Sequence, residues 1–181
     1  MSDWICFRDG LDIESCDKII KLTKDDDILV RTNEQWIYDT IWKFMIQANT
    51  ETEWGYDIKS AESMQISRYK KGKYSDWHSD CTTDSHNSKG DRVEEQVRKL
   101  VMIIPLNDDF EGGEFQFIKY ENRGFYLEVS DCEAPLNKVE TVTHKTGSAI
   151  VFPSDMWHRV KPITKGIRYS LTVWFLGPPF I

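Results

Sequence analysis

The chain has 181 residues, enough for one domain with a sizeable core. Apolar residues make up 40%, with seven Trp, seven Tyr and nine Phe, which excludes a disordered segment. The net charge of −7 offers no general positive surface to set against phosphate, so nucleic acid and anionic membrane are poor partners.

The N-terminal third reads as helical. Met1-Ser2-Asp3-Trp4 shows no basic start leading into an apolar run, so no secretory signal is expected. Asp12 is placed to cap a helix through Ile13, Cys16, Ile19, Ile20 and Leu22, spaced close to 3.6. Thr32 and Gln35 form an expected capping box. The long helix after it carries an apolar stripe of Trp36, Ile37, Ile41, Phe44, Met45 and Ala48, spaced to pack on a sheet.

From about Ser63 the period shortens to two. Met64 to Tyr69 alternates as a strand, and Lys71-Gly72-Lys73 supplies a turn. Thr82 to Glu95 is polar and aperiodic, a loop of the length used for lids and binding segments. Val97 to Leu106 reads as a buried strand, and Glu114 to Ile118 as another after Gly112-Gly113. Residues 120–138 give no clear pattern. Val139 to Val142, Ala149 to Phe152 and Tyr169 to Leu176 complete the strands, with a turn at Lys145-Thr146-Gly147. Two or three helices followed by about eight short strands predict a mostly β, α+β chain: a β-sandwich or jelly roll with helices buttressing one sheet. With no repeat or linker, residues 1–181 read as one domain, helical support over about 1–60 and a jelly-roll core over about 61–178.

Cys6, Cys16, Cys81 and Cys132 are widely spaced without a CxxC pair, so a zinc ribbon is not expected and reduced thiols in the cytoplasm are. No window is long and apolar enough to span a membrane.

The chemistry concentrates in three short motifs. Trp77-His78-Ser79-Asp80 places His78 and Asp80 two apart, on one side of an extended segment. His158, in Trp157-His158-Arg159-Val160, follows a buried strand and is the natural third ligand. Two imidazoles and one carboxylate leave three octahedral positions open, the donor set of non-haem iron(II) oxygenases. Catalytic zinc satisfies the same donors in chemical terms. His86, in the polar loop, and His144, beside a turn, are weaker candidates, and Cys81 is expected to face away from the ion. Arg168 opens a hydrophobic strand, where an unpaired guanidinium is costly. Either an internal carboxylate or a dicarboxylate ligand answers it, and Ser170 faces the same side.

Taken in order, the motifs resemble the iron(II)/2-oxoglutarate-dependent oxygenases, in the prolyl-4-hydroxylase-like branch. They run Arg68-Tyr69 with Gly72 and Tyr74, Trp77-His78-Ser79-Asp80, Pro105-Leu106-Asn107, Glu111-Gly112-Gly113-Glu114-Phe115, Gly147, Phe152-Pro153, His158-Arg159-Val160 and Gly166-Ile167-Arg168-Tyr169-Ser170-Leu171. The likeness covers residues 60 to 178, about two thirds of the chain.

The resemblance implies a double-stranded β-helix, cupin-like, with iron(II) held by His78, Asp80 and His158. It implies 2-oxoglutarate on Arg168, with Tyr69 and Ser170 assisting. One tyrosine used by some relatives is replaced here by Pro105. The implied reaction consumes dioxygen, converts 2-oxoglutarate to succinate and carbon dioxide, and hydroxylates an unactivated C–H bond, with ascorbate as reductant. Peptidyl proline is the first expected substrate, gripped beside Lys70, Lys71 and Lys73, and a free amino acid or small metabolite is the second. Dealkylating relatives carry a second Arg six residues after the anchor, where this chain has Trp174. A halogenase would need the position of Asp80 vacant. A non-catalytic metal-binding jelly-roll module is the remaining alternative, and it has no physical need for Arg168.

Overall fold

The computed structural model describes residues 3–24, 28–81, 96–119 and 139–179. The expected loop over 82–95, His86 within it, and residues 120–138 lie outside the described residues. Helix α1 spans Ile13–Ile20, and the Ser15 amide donates to Asp12 Oδ1 at 2.8 Å, the predicted cap. Helix α2 spans Gln35–Glu51 and buries Ile37, Ile41, Met45 and Ala48. Ile37, Ile41 and Met45, sunk this way, each contribute on the order of 1.5–3 kcal/mol.

The capping box expected at Thr32 does not form. Thr32 is the last residue of strand β2 (Leu29–Thr32), paired with Met64, and Glu34 takes the cap position without a side-chain bond. Thr32 Oγ1 accepts only a long contact from the Glu34 amide, 3.4 Å. Pairing in the sheet holds Thr32 extended and takes it out of the helix start. A second difference lies nearby. The N-terminal third is not wholly helical, because β1 (Ile5–Phe7) and β2 both join the main sheet.

The remaining strands are β3 (Ser60–Ala61), β4 (Met64–Lys70), β5 (Ser75–His78), β6 (Val97–Pro105), β7 (Glu111–Gly112), β8 (Phe115–Ile118), β9 (Val139–Thr141), β10 (Ala149–Pro153), β11 (His158–Val160), β12 (Ile163–Lys165) and β13 (Ile167–Gly177). The main sheet runs β1-β10-β6-β13-β4-β2, with β3 also on β13, and the smaller sheet runs β5-β11-β8-β9. Among the described residues, every strand pairing of these two sheets is antiparallel, as the jelly-roll reading requires.

Strand β6 explains the layering. Leu100, Met102 and Ile104 pack with α2, while Val101 and Ile103 face the smaller sheet and meet Phe115, Phe117 and Phe152. Burial on both faces is why its sequence is almost continuously apolar. Strand β13 alternates differently. Leu171, Val173 and Phe175 join the helix-side core, and Arg168, Ser170, Thr172 and Trp174 line a cavity between the sheets. That polar stripe beneath an apolar one sets where the chemistry sits.

Candidate metal centre

The smaller sheet brings the two histidines together by register. His158, at the start of β11, pairs directly with His78, at the end of β5, and their rings lie 4.3 Å apart. Asp80 follows β5, where its amide donates to Ser154 O at 2.9 Å, tying the segment to the end of β10. Asp80 Oδ1 then lies 3.6 Å from His78 Nε2, and Oδ2 lies 3.7 Å from His158 Nε2. Such separations suit donors that share an ion at about 2 Å from each.

Backbone carbonyls orient both rings. His78 Nδ1 bonds Asp76 O at 2.7 Å and His158 Nδ1 bonds Met156 O at 2.9 Å, which places the proton on Nδ1 and leaves each Nε2 lone pair for a ligand. Burial pushes His158 down to about 4, against the opposing pull of Asp80, so it is a neutral donor at physiological pH. The three ligand atoms lie within 4.8 Å of one another, and no other His, Cys or Asp/Glu cluster of that kind occurs among the described residues. The donor set therefore fits a first-row divalent metal with an open face. His144 stays out of this cluster. It lies instead near the Arg168 charge, and burial, with that charge second, pushes it down to about 4.

The cavity runs from these ligands to Arg168 along Gln65, Ser67 and Tyr69 of β4 and Ser170, Thr172 and Trp174 of β13. These strands are neighbours with Tyr69 opposite Arg168, Ser67 opposite Ser170 and Gln65 opposite Thr172, so one face of a two-stranded ladder makes a polar wall. The two ends differ in cover. The His78 side chain is 41% exposed, whereas Arg168 is 2% exposed.

Arg168 Nη1 donates to Ser170 Oγ at 3.0 Å, but its buried Nε has no partner, and no carboxylate pairs with the guanidinium among the described residues. Burial pulls it down to about 10, so it still carries a full charge near neutrality. Of the two answers open for this residue, the internal carboxylate is missing from the described residues. Gly113 makes room for it, since a Cβ there would strike Ile163 Cδ1 and crowd Arg168 Cδ. Lys70, Lys71 and Lys73, expected beside the cleft, do not line this cavity. The backbone of their turn is instead tied to β12, with Gly72 N–H on Ile163 O at 2.8 Å and Ile163 N–H on Lys73 O at 3.0 Å.

Trp174 is the site residue that sequence reasoning missed. Its indole Nε1 donates to Asp80 Oδ2 at 3.0 Å, so the ring beneath the carboxylate fixes which way it turns. The guanidiniums of Arg31 and Arg98 lie 4.9 and 4.3 Å from its ring. The only sequence signal was an indole on the pocket-facing register of β13, in phase with Arg168. Trp174→Phe keeps the ring and its packing and removes the N–H. Iron(II) affinity is expected to fall about 10- to 100-fold, as when other outer-shell partners of metal ligands are lost. Titration of the metal-free variant with iron(II) or cobalt(II) checks this, and unchanged affinity refutes the orienting role.

Comparison with known proteins agrees with this geometry. The family model for the 2OG-Fe(II) oxygenase superfamily matches residues 64–176. A PKHD-type hydroxylase of Alteromonas mediterranea is 28% identical over 109 residues, which is 60% of this chain but only 41% of that hydroxylase's length. The fold superposes on a viral collagen prolyl hydroxylase from Paramecium bursaria Chlorella virus 1, in its 2-oxoglutarate complex, with a TM-score of 0.69 and 18% identity over 98% of this chain and 97% of that one. A prolyl-4-hydroxylase of Pseudomonas putida gives 0.61 and 17% over 96% and 91%. The mostly β jelly-roll fold and its helical buttress are thus those expected from the sequence, as are iron(II) and 2-oxoglutarate as the cofactors of this family. The chain belongs to the 2OG-Fe(II) oxygenase superfamily.

Proposed function

We propose that residues 1–181 form one catalytic unit, a 2-oxoglutarate-dependent dioxygenase that hydroxylates a peptidyl proline. In this reading His78, Asp80 and His158 hold iron(II). Arg168 pairs with the far carboxylate of 2-oxoglutarate, assisted by Ser170 and by the Tyr69 phenol. The observation that carries it is Arg168, a cation sealed inside the protein without a carboxylate partner among the described residues, in the same cavity as the three ligand atoms. A buried charge of this kind needs an anionic occupant, and a non-catalytic module has no use for one.

Iron bound there would couple decarboxylation of 2-oxoglutarate, to succinate and carbon dioxide, to insertion of oxygen into a C–H bond. The protein's own part is to position and to exclude. Met156 O and Asp76 O aim the imidazoles, Trp174 aims the carboxylate, and Phe115, Phe117 and Phe152 keep water from the inner wall. Proline as substrate is supported by the likeness to prolyl hydroxylases, including one named for collagen. No helix among the described residues is long and apolar enough to cross a membrane, and Cys6, Cys16 and Cys81 carry free thiols. The free thiols accord with an enzyme that works in the cytoplasm.

The test is succinate formation in air with iron(II), 2-oxoglutarate and ascorbate, across proline-containing peptides and free amino acids, with mass spectrometry for a product heavier by one oxygen atom. Stimulation of succinate release by a proline peptide, with matching oxygen gain, is expected. No succinate above the enzyme-free background across the panel overturns the reading.

A further inference from the structure

Beyond the wall formed by β4 and β13, the main sheet continues for one more strand, β2, which sets two unlike side chains on the cavity side of the sheet, just outside the cavity lining. Register places Leu29 beside Ser67 and Arg31 beside Gln65, and both partners line the cavity. Residues opposite one another on paired strands project from one face, so Leu29 and Arg31 extend the same wall outward, roughly 7 Å apart. Leu29 is 54% exposed and Arg31 is exposed as well.

Arg31 is held but not neutralised. Its Nη1 donates to Ser63 O at 2.9 Å and its guanidinium lies against the Trp174 ring. Trp174 in turn donates to Asp80, so a single indole separates this cation from a candidate metal ligand. The contrast with Arg98, on the same ring, is informative. Arg98 makes a two-pronged pair with Glu62 at 2.5 and 2.8 Å, whereas no carboxylate pairs with Arg31 among the described residues. A guanidinium with one nitrogen spent and one face stacked keeps its other edge for two parallel hydrogen bonds, the geometry that suits a carboxylate. The chain's overall charge of −7 argues against a polyphosphate backbone at the same place.

We propose that Arg31 is a specificity-determining residue that binds a carboxylate of the substrate, close to the residue being oxidised, with Leu29 supporting an apolar neighbour. This rests on the proposed hydroxylase reading and narrows its substrate class to an acidic proline peptide or a free amino acid bound through its α-carboxylate. A guanidinium that served only to pack Trp174 would leave carboxylate preference untouched.

The test reads binding with dioxygen excluded, so that no turnover occurs. Protein loaded with iron(II) and 2-oxoglutarate is titrated calorimetrically with two matched pairs of probes. One pair is a capped Ala-Pro-Glu-Ala peptide and its Gln counterpart, and the other is L-proline and L-prolinamide. One carboxylate member is expected to bind about fivefold more tightly than its amide, and the pair that shows it identifies the source. Arg31→Gln should erase that preference, and Arg31→Glu should reverse it toward a Lys-bearing peptide. Equal binding within both pairs, or a preference unchanged in Arg31→Gln, overturns the proposal. Succinate release in air on the same preparations separates the two ideas. Normal release without any carboxylate preference sinks the anchor alone, and carboxylate preference without release sinks the hydroxylase reading.

Discussion

Asp80→Ala is expected to bring 2-oxoglutarate turnover to background, measured as succinate released under saturating iron(II). Asp80 is the only anionic donor in the cluster, and the two imidazoles, which bring no negative charge, leave the full charge of a divalent ion uncompensated in a partly buried site. The loss is chemical as well as electrostatic, because the Trp174 N–H and the Asp80 amide are set to place one carboxylate and nothing else. Asp80→Asn separates these contributions. It keeps an oxygen for the Trp174 N–H, so folding should survive, while metal affinity should drop with the charge. Circular dichroism and metal titration on the two variants read the difference. Retained turnover in Asp80→Ala would remove this carboxylate from the ligand set.

Arg168→Met is expected to raise the Michaelis constant for 2-oxoglutarate by about 10- to 100-fold, the range set by losing a charge-assisted pair in a dry site. The turnover number should fall less. Stability should move the other way. Burial holds the folded guanidinium at about 10, well below its ordinary value. The unfolded chain thus holds the proton more tightly, and native stability rises with pH between those values. Below that window the charged residue costs the empty protein free energy, which a methionine of similar length does not. The ligand-free variant should therefore melt no lower than the parent, while 2-oxoglutarate, which stabilises the parent by binding its native state, should lose most of that effect. Thermal melts with and without 2-oxoglutarate check both halves. An unchanged Michaelis constant would show that the anion sits elsewhere.

The motifs were legible because their spacing is local chemistry. His78 and Asp80 share one extended segment, Arg168 and Ser170 are in phase on β13, and Gly113 opens space that only the absence of a Cβ allows. The partnering of His78 with His158 could be expected as a necessity of the chemistry, but their direct cross-strand pairing is a long-range register that periodicity does not carry. The two N-terminal strands escaped for a simpler reason. β1 and β2 have three and four residues at the margins of the sheet, too short for alternation to register, and β2 is exposed on half of its positions. The same strand defeated the capping box, since Thr32 was already committed to the sheet. Trp174 entered the sequence reading as the residue standing where dealkylating relatives have a second arginine, and its phase with Arg168 went unused. Its role depends on Asp80, 94 residues earlier, curling over it.

The two-sided strand β13 has a consequence for how this sequence can change. Because its odd-numbered residues from Leu171 to Phe175 serve the helix layer and its even ones from Arg168 to Trp174 serve the cavity, inserting or deleting a single codon within it exchanges the two sets. Leucine, valine and phenylalanine would then crowd the ion, and the guanidinium would be driven under α2. Substitution remains open to this segment position by position, but a change in its length does not.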